Sequence, residues 1–506
     1  MMKFQTYTIK TVCSSFLAIF LMFSVSSCLD KEPGDYIGES EGMKTFNDAE
    51  QTLTGIYSAY KSSALYSGYL TLCPDIQSDL VYAVEGNTNV YGSFWLWKVR
   101  STDPEIEAVY ASLYTVIGRC NFFLDQVADL RASLIDDEEI TALDYYTGEV
   151  LCARALAYSE LIKTYCKAYD PATADKELGV VIRTKWFEKE PVERASLKKS
   201  YEQVISDLEK AEELLDAEYD KYNSYYFTNA AVKAIRSRVA LYMQDWETAV
   251  KYSTEVLEND VFKLASCKQM ITSSQNLVDY MWTNDSSYEI IWRIGFTTTS
   301  YGGALGQVFL NFNKDRTYYY PDYVPAQWAL SLYDSSDSRY GAYFKNTRCG
   351  YENGLEWPLL FKYSGNEAFQ AAYIYHVCMP KPLRLAEQYL IRAEANCRLG
   401  NYSAASSDLT KLRQSRYPVG GNLSVNETNF LEVISNERVR ELYMEGFRLH
   451  DLKRWGMGFE RTPQSCSQPD GSDLVVSKDN PLFVWPIPRN EIEAPGSDIV
   501  GNESNR

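Results

Sequence analysis

Histidine is nearly absent: the 506-residue chain holds only His376 and His450. Two rings cannot supply a histidine metal cluster, and a Ser-His-Asp relay has few places to form. No CxxC pair and no GxxxxGKS or GxxxxGKT string occurs, which removes the thiol redox motif and the phosphate-cradling loop. The stretches "NDSSYE" and "QPDGSD" lack calcium-loop spacing and its closing glutamate. No metal, cofactor or catalytic residue is therefore expected. Basic charge is also short, with 50 Lys and Arg against 68 Asp and Glu and a formal charge of −18. Such a field repels phosphate backbones and anionic membrane faces, so nucleic acid is excluded as a partner class, whereas uncharged ligands meet no penalty. Beyond residue 27 no apolar run approaches the roughly 20 residues that a spanning helix needs.

The amino terminus has what the rest lacks. Lys3 and Lys10 precede an apolar core from Ser15 to Val25, and Val25, Ser26 and Ser27 stand directly before Cys28. A short charged start, an apolar core and small residues at the cut make an export signal. The pattern resembles the lipobox of bacterial lipoproteins. That resemblance implies removal of residues 1–27 and acylation of Cys28, with palmitate-type chains holding the mature protein on a membrane without spanning it. Residues 28–43, polar and broken by Pro33, Gly34, Gly38 and Gly42, read as a tether.

Helical spacing follows. In "TFNDAEQTLTGIYSAYKSS", Ala49, Leu53, Ile56 and Tyr60 share one face. Further helical patterns cover roughly 104–130, 140–168, 197–215, 229–258, 383–414 and 427–453. Two segments repeat a register: Trp246, Ala249, Ser253 and Val256 stand at offsets 0, 3, 7 and 10, as do Tyr402, Ala405, Leu409 and Leu412. Each follows another helix, the second across a turn at Gly400 and Asn401. An aromatic at the turn with alanine three residues on is the junction of a tetratricopeptide helix pair, where the small side chain permits close approach. The expected fold class is mainly α, a tetratricopeptide-like helix-pair scaffold with large loop-rich insertions. Residues 44–264 form its first helical region, 265–380 a loop-rich aromatic insertion and candidate ligand-binding lobe, and 381–506 a carboxy-terminal pair with a signature region. Of the nine cysteines after Cys28, Cys120, Cys152, Cys166 and Cys397 lie in helical patterns and read as buried free thiols; a Cys349–Cys378 bridge is the open alternative.

The stretches "EVLCARALAYSELIKTY", "SLKKSYEQVISDLEKAEELL", "AAVKAIRSRVALYMQDWETAVKYSTEVLE", "YLIRAEANCRLGNYSAASSDLTKLRQSR", "NERVRELYMEGFRLHDLKRWG" and "NPLFVWPIPRNEI" run in the order found in the SusD/RagB outer-membrane lipoproteins of Bacteroidetes, which the chain resembles over nearly its whole mature length. Its tail, "EAPGSDIVGNES", departs from the family's usual closing sequence. The resemblance implies a non-enzymatic, surface-facing subunit of the outer membrane that binds oligosaccharide and hands it to a SusC-like TonB-dependent transporter. The residues agree with this. Flat phenols and indoles stack on the apolar face of a sugar while amides bond its rim, and no ionised nucleophile is required. On region alone, the candidate ligand-binding residues are Trp95 and Trp97 in "YGSFWLWKVR", and Tyr301 and Tyr319 in the insertion. The same scaffold binding peptides or another nutrient, or serving only as a protein-interaction scaffold, are the alternatives. Glu441 and Glu445, four apart on one helix, invite an acid–base reading. The neighbouring Arg438, Arg440, Arg448 and Arg454 point instead to an ion-paired structural surface.

Overall fold

The computed structural model describes residues 42–186 and 192–506, so Cys28 and the signal before it lie outside the described residues. Helix α1 (Phe46–Ala59) buries Ala49, Leu53 and Ile56, the face read from the sequence. α2 (Tyr69–Gln77) is almost wholly buried. Pro104 opens α3 (Pro104–Ser133) at a position where its missing N–H costs nothing. Asp136 caps α4 (Asp137–Tyr165), its carboxylate accepting from Glu138 N at 2.8 Å. Ser196 likewise caps α5 (Leu197–Leu214).

The repeated register then produces packed pairs: α6 (Asn229–Tyr242) with α7 (Trp246–Leu257), and α8 (Leu385–Arg398) with α9 (Tyr402–Arg416). α4 packs on α3 and α5, and α7 bridges α6 to α8. Ala240, Ala249 and Ala395 meet at that last junction with Leu241 and Ile391, where small side chains let three helices approach. Ser253, Val256, Leu409 and Leu412 are buried as the offsets require.

The described residues hold four two-stranded antiparallel sheets, of which the first two join the long insertion to the rest of the chain. β1 (Val81–Ala83) pairs with β3 (Tyr323–Pro325), and β2 (Ile290–Trp292) with β6 (Leu383–Arg384). β4 (Phe344–Arg348) pairs with β5 (Glu356–Leu360), and β7 (Phe459–Arg461) with β8 (Leu474–Val476). Residues 46–506 form one compact unit. Cys349 and Cys378 are free and buried, as are the other seven cysteines after Cys28.

Two sequence expectations are corrected. The helix read over 427–453 is two, α10 (Phe430–Glu441) and α11 (Arg448–Trp455), with Met444 and Gly446 at positive φ between them. The break has a tertiary cause. The Asp75 carboxylate on α2 accepts from Gly446 N at 2.8 Å and Arg448 N at 2.9 Å, capturing donors at the head of α11. The charged run is also interior, not surface. Glu441 is fully buried, with Arg384 at 3.0 Å, Arg416 at 2.8 Å and Arg339 at 3.1 Å, all from distant segments. The arginines of the run itself pair elsewhere or with Glu437: Arg438 with Asp451, Arg440 with Glu437, Arg448 with Asp79 and Arg454 with Glu394. Burial alone would raise the Glu441 carboxyl, but Arg416, Arg384 and Arg339 overcome it and hold the group well below the usual carboxylate range. Sealed from solvent among three guanidiniums that favour its ionised form, Glu441 is placed as an ion-pair partner and not as a general acid.

The divergent tail docks. Arg194 donates to Val500 O at 3.0 Å and Asn502 Oδ1 at 2.8 Å, and Asn502 Nδ2 reaches Tyr165 O and Trp485 O, each at 2.8 Å.

Burial, with Lys163 and Lys453 alongside, depresses His450 well below the ordinary imidazole value. The unfolded chain takes up a proton on this ring near pH 6.5 and the folded chain does not, so stability falls as pH drops below that value. In urea unfolding, the parent should lose about 1.4 kcal/mol relative to His450→Leu for each pH unit below about 6.5. Parallel pH profiles for the two proteins would contradict this assignment.

Candidate functional site

A cleft of ≈ 410 Å³ lies where α2 and the 88–91 loop face the insertion. Its floor is Gly68, Leu72, Gly303, Ala304 and Val308, and its polar lining includes Gln307, Asn311 and Asp322. The floor is close-packed. A side chain at Gly303 would sit 2.4 Å from Ser67 O, and Gly303 N donates to Ser67 Oγ at 2.9 Å. Glycine at 303 is thus what lets the insertion close on the start of α2.

Tyr69 and Tyr91 form one wall, ring centroids 5.8 Å apart and nearly perpendicular at 77°. Both rings are partly exposed, and neither hydroxyl makes a hydrogen bond among the described residues. Burial pushes both phenols above their ordinary range, so they stay neutral donors. Asn311 uses its carboxamide oxygen on Phe312 N at 3.1 Å, which leaves its amide nitrogen free. Gln307 is exposed and makes no side-chain hydrogen bond among the described residues.

The loop carrying Tyr91 is held in an unfavourable backbone. Asn89, Tyr91 and Trp97 all take positive φ, 63°, 54° and 54°, at roughly 1–2 kcal/mol each for residues bearing a Cβ. Buried Asp322 offsets this by accepting from Thr88 N at 2.7 Å and Thr88 Oγ1 at 2.8 Å, while Tyr323 Oη donates to Val90 O at 2.6 Å. Strain retained by several specific bonds is the pattern of a preorganised binding loop. The cleft therefore offers two ring faces and unpaired neutral donors, with the Asp322 carboxylate engaged by Thr88.

None of the four aromatics chosen from the sequence lines this cleft. Trp95 and Trp97 are corrected to core residues, 1% and 7% exposed. The Trp95 indole donates to Asp470 O at 3.0 Å and lies 3.7 Å beneath the Arg461 guanidinium. Trp97 donates to Gln77 O at 2.6 Å and packs edge-on against Phe483. Neither can present a face to ligand. Tyr319 is half-buried against Phe361, and Tyr301 is exposed just before the Gly302–Gly303 pair. Tyr91, which lines the cleft, lies in the same "YGSFWLWKVR" stretch as Trp95. Its place between Asn89 and Gly92, residues of tight turns, was the available signal.

Residues 29–241 match a SusD-like family model described as starch-binding associating with outer membrane, and residues 265–502 match the model of the SusD family. The chain belongs to the SusD family. A SusD-like protein of Formosa agariphila is 21% identical over 496 residues, spanning 87% of this chain and 89% of its own. Among solved structures, a SusD superfamily protein of Bacteroides thetaiotaomicron superposes with a TM-score of 0.77 at 23% identity, covering 90% of this chain and 99% of that one. A SusD-like carbohydrate binding protein of Bacteroides vulgatus gives 0.70 at 21%, covering 88% and 95%. These likenesses carry the fold of this SusD family member, helix pairs with short-stranded insertions. Among the described residues no helix is long and apolar enough to cross a membrane, and no His, Cys, Asp and Glu cluster is arranged to hold a metal.

Proposed function

We propose that this SusD family protein binds an uncharged oligosaccharide in the Tyr69–Tyr91 cleft without altering it and delivers it to a SusC-like TonB-dependent transporter. Acyl chains on Cys28 would hold it on the outer membrane, facing the exterior. The observation that carries the reading is the pair of tyrosines, ring faces half-open and hydroxyls unpaired, beside the free amide of Asn311. Sugar C–H faces stack on such rings while hydroxyls bond the unpaired tips. The chain's net charge of −18 favours neutral cargo over anionic glycans. Starch binding, with association to the outer membrane, is also how the family model matching residues 29–241 is described.

Retardation of the mature chain in native gels cast with individual polysaccharides, starch first, identifies the cargo. At least one neutral glycan should retard the parent, and Tyr91→Ala should weaken that binding by about tenfold or more, the loss of one well-placed ring stack. Tyr91→Phe, which keeps the ring, should lose less. A chain that no neutral glycan retards, or Tyr91→Ala binding as the parent does, would reject the assignment.

A further inference from the structure

A second cavity, ≈ 850 Å³, opens between α1, the first turns of α4 and residues 219–228. Tyr145, Tyr146, Tyr219 and Tyr226 line it, with Glu149 among the residues of α4 that face it. Tyr145 and Tyr219 stand perpendicular, centroids 5.5 Å apart at 86°. Tyr219 is 60% exposed, so this box is open to solvent on one side.

The charges in the lining are mostly accounted for within the fold. Asp137 and Glu138 lie in the first turn of α4, where they complement the helix N-terminus. Glu50 accepts from Tyr146 Oη at 3.0 Å. Glu149 is different. It is 4% exposed, its carboxylate accepts from the Tyr57 hydroxyl, and it forms no ion pair among the described residues. Lys221, the cation of the lining, acts on Glu149 through space but forms no ion pair with it, its Nζ standing 5.8 Å from the centroid of the Tyr226 ring. Buried carboxyls ordinarily have a cationic partner. Here the carboxyl lies beneath an open aromatic cavity, without an ion-pair partner among the described residues.

We propose that this cavity is a second ligand site, separate from the Tyr69–Tyr91 cleft, which takes a protonated amine borne on a small ring or alkyl stem. The ammonium would pair with Glu149, and the electron-rich faces of Tyr145 and Tyr219 would flank the cation and its stem. Burial lifts the Glu149 carboxyl to about 8, outweighing the opposing pull of the Tyr57 hydroxyl and the more distant Lys221. An amino sugar and a lysyl side chain both carry this chemistry.

Calorimetric titration of the mature chain with a fully deacetylated glucosamine tetramer, its N-acetylated counterpart and tetralysine tests the site. The deacetylated tetramer, tetralysine or both should bind with one site per chain, and the N-acetylated tetramer should not. Glu149→Gln and, independently, Tyr219→Ala should each weaken the amine probe by about tenfold, while the neutral glycan of the first cleft binds both variants as it does the parent. Binding of the deacetylated tetramer alone names an amino sugar, and of tetralysine alone a basic peptide; either supports the site. Absence of heat with both amines, equal affinity for the acetylated tetramer, or undiminished amine binding in Tyr219→Ala overturns it, whatever the first cleft does.

Discussion

Trp95→Ala is expected to lower the unfolding free energy by about 3–5 kcal/mol, the range for truncating a fully buried indole. The ring covers Arg461, a buried guanidinium with no carboxylate partner among the described residues. That cation is satisfied by carbonyls alone, donating to Trp95 O at 2.6 Å, Ser78 O at 2.6 Å, Gln77 O at 3.0 Å and Ile76 O and Gly471 O at 3.2 Å each. Burial depresses its pKa to about 9, so its charge is costly where it sits, and the indole face 3.7 Å away is part of what stabilises it. Removing the ring leaves a cavity over an under-solvated cation and breaks the bond to Asp470 O. Urea unfolding of parent and variant reads the loss directly. A variant as stable as the parent but unable to retain glycan would return Trp95 to the binding surface.

Glu441→Gln should cost a similar amount, about 3–5 kcal/mol, because it breaks a buried ionic cluster by removing one partner. The cost comes from what remains. Arg339, Arg384 and Arg416 all direct nitrogen at this carboxylate, and the amide returns neither the charge nor both acceptors. These arginines come from the insertion, from β6 and from α9, and Glu289 beside β2 joins them through Arg384 at 2.6 Å and Arg416 at 2.9 Å. The cluster thereby ties the insertion to the helix pairs. Denaturant unfolding of Glu441→Gln measures the loss. An unchanged midpoint would show that the guanidiniums find other acceptors.

The helix pairs were legible because burial there follows local spacing. Trp246, Ala249, Ser253 and Val256 lie on one stripe of one helix, and the same offsets recur at Tyr402. The choice among rings in "YGSFWLWKVR" was not legible, because Arg461, whose guanidinium Nη1 bonds Trp95 O across 366 positions, decides it. Composition favours an indole as a sugar platform, and the fold spends that indole on a cation. Glu441 fails to read locally for the same reason: its sequence neighbours are arginines, yet Arg438 and Arg454 serve Asp451 and Glu394. The split between α10 and α11 likewise depends on Asp75, more than 350 residues upstream. Period-based inference reaches what a helix does to itself; the cleft is made by partners distant in sequence.

The most direct test of the central claim is a crystal structure of the mature chain with the neutral oligosaccharide that retards it. The account predicts sugar rings packed against Tyr69 and Tyr91, with hydroxyls bonded to the amide of Asn311. Oligosaccharide bound at another surface, with this cleft left empty, would contradict it.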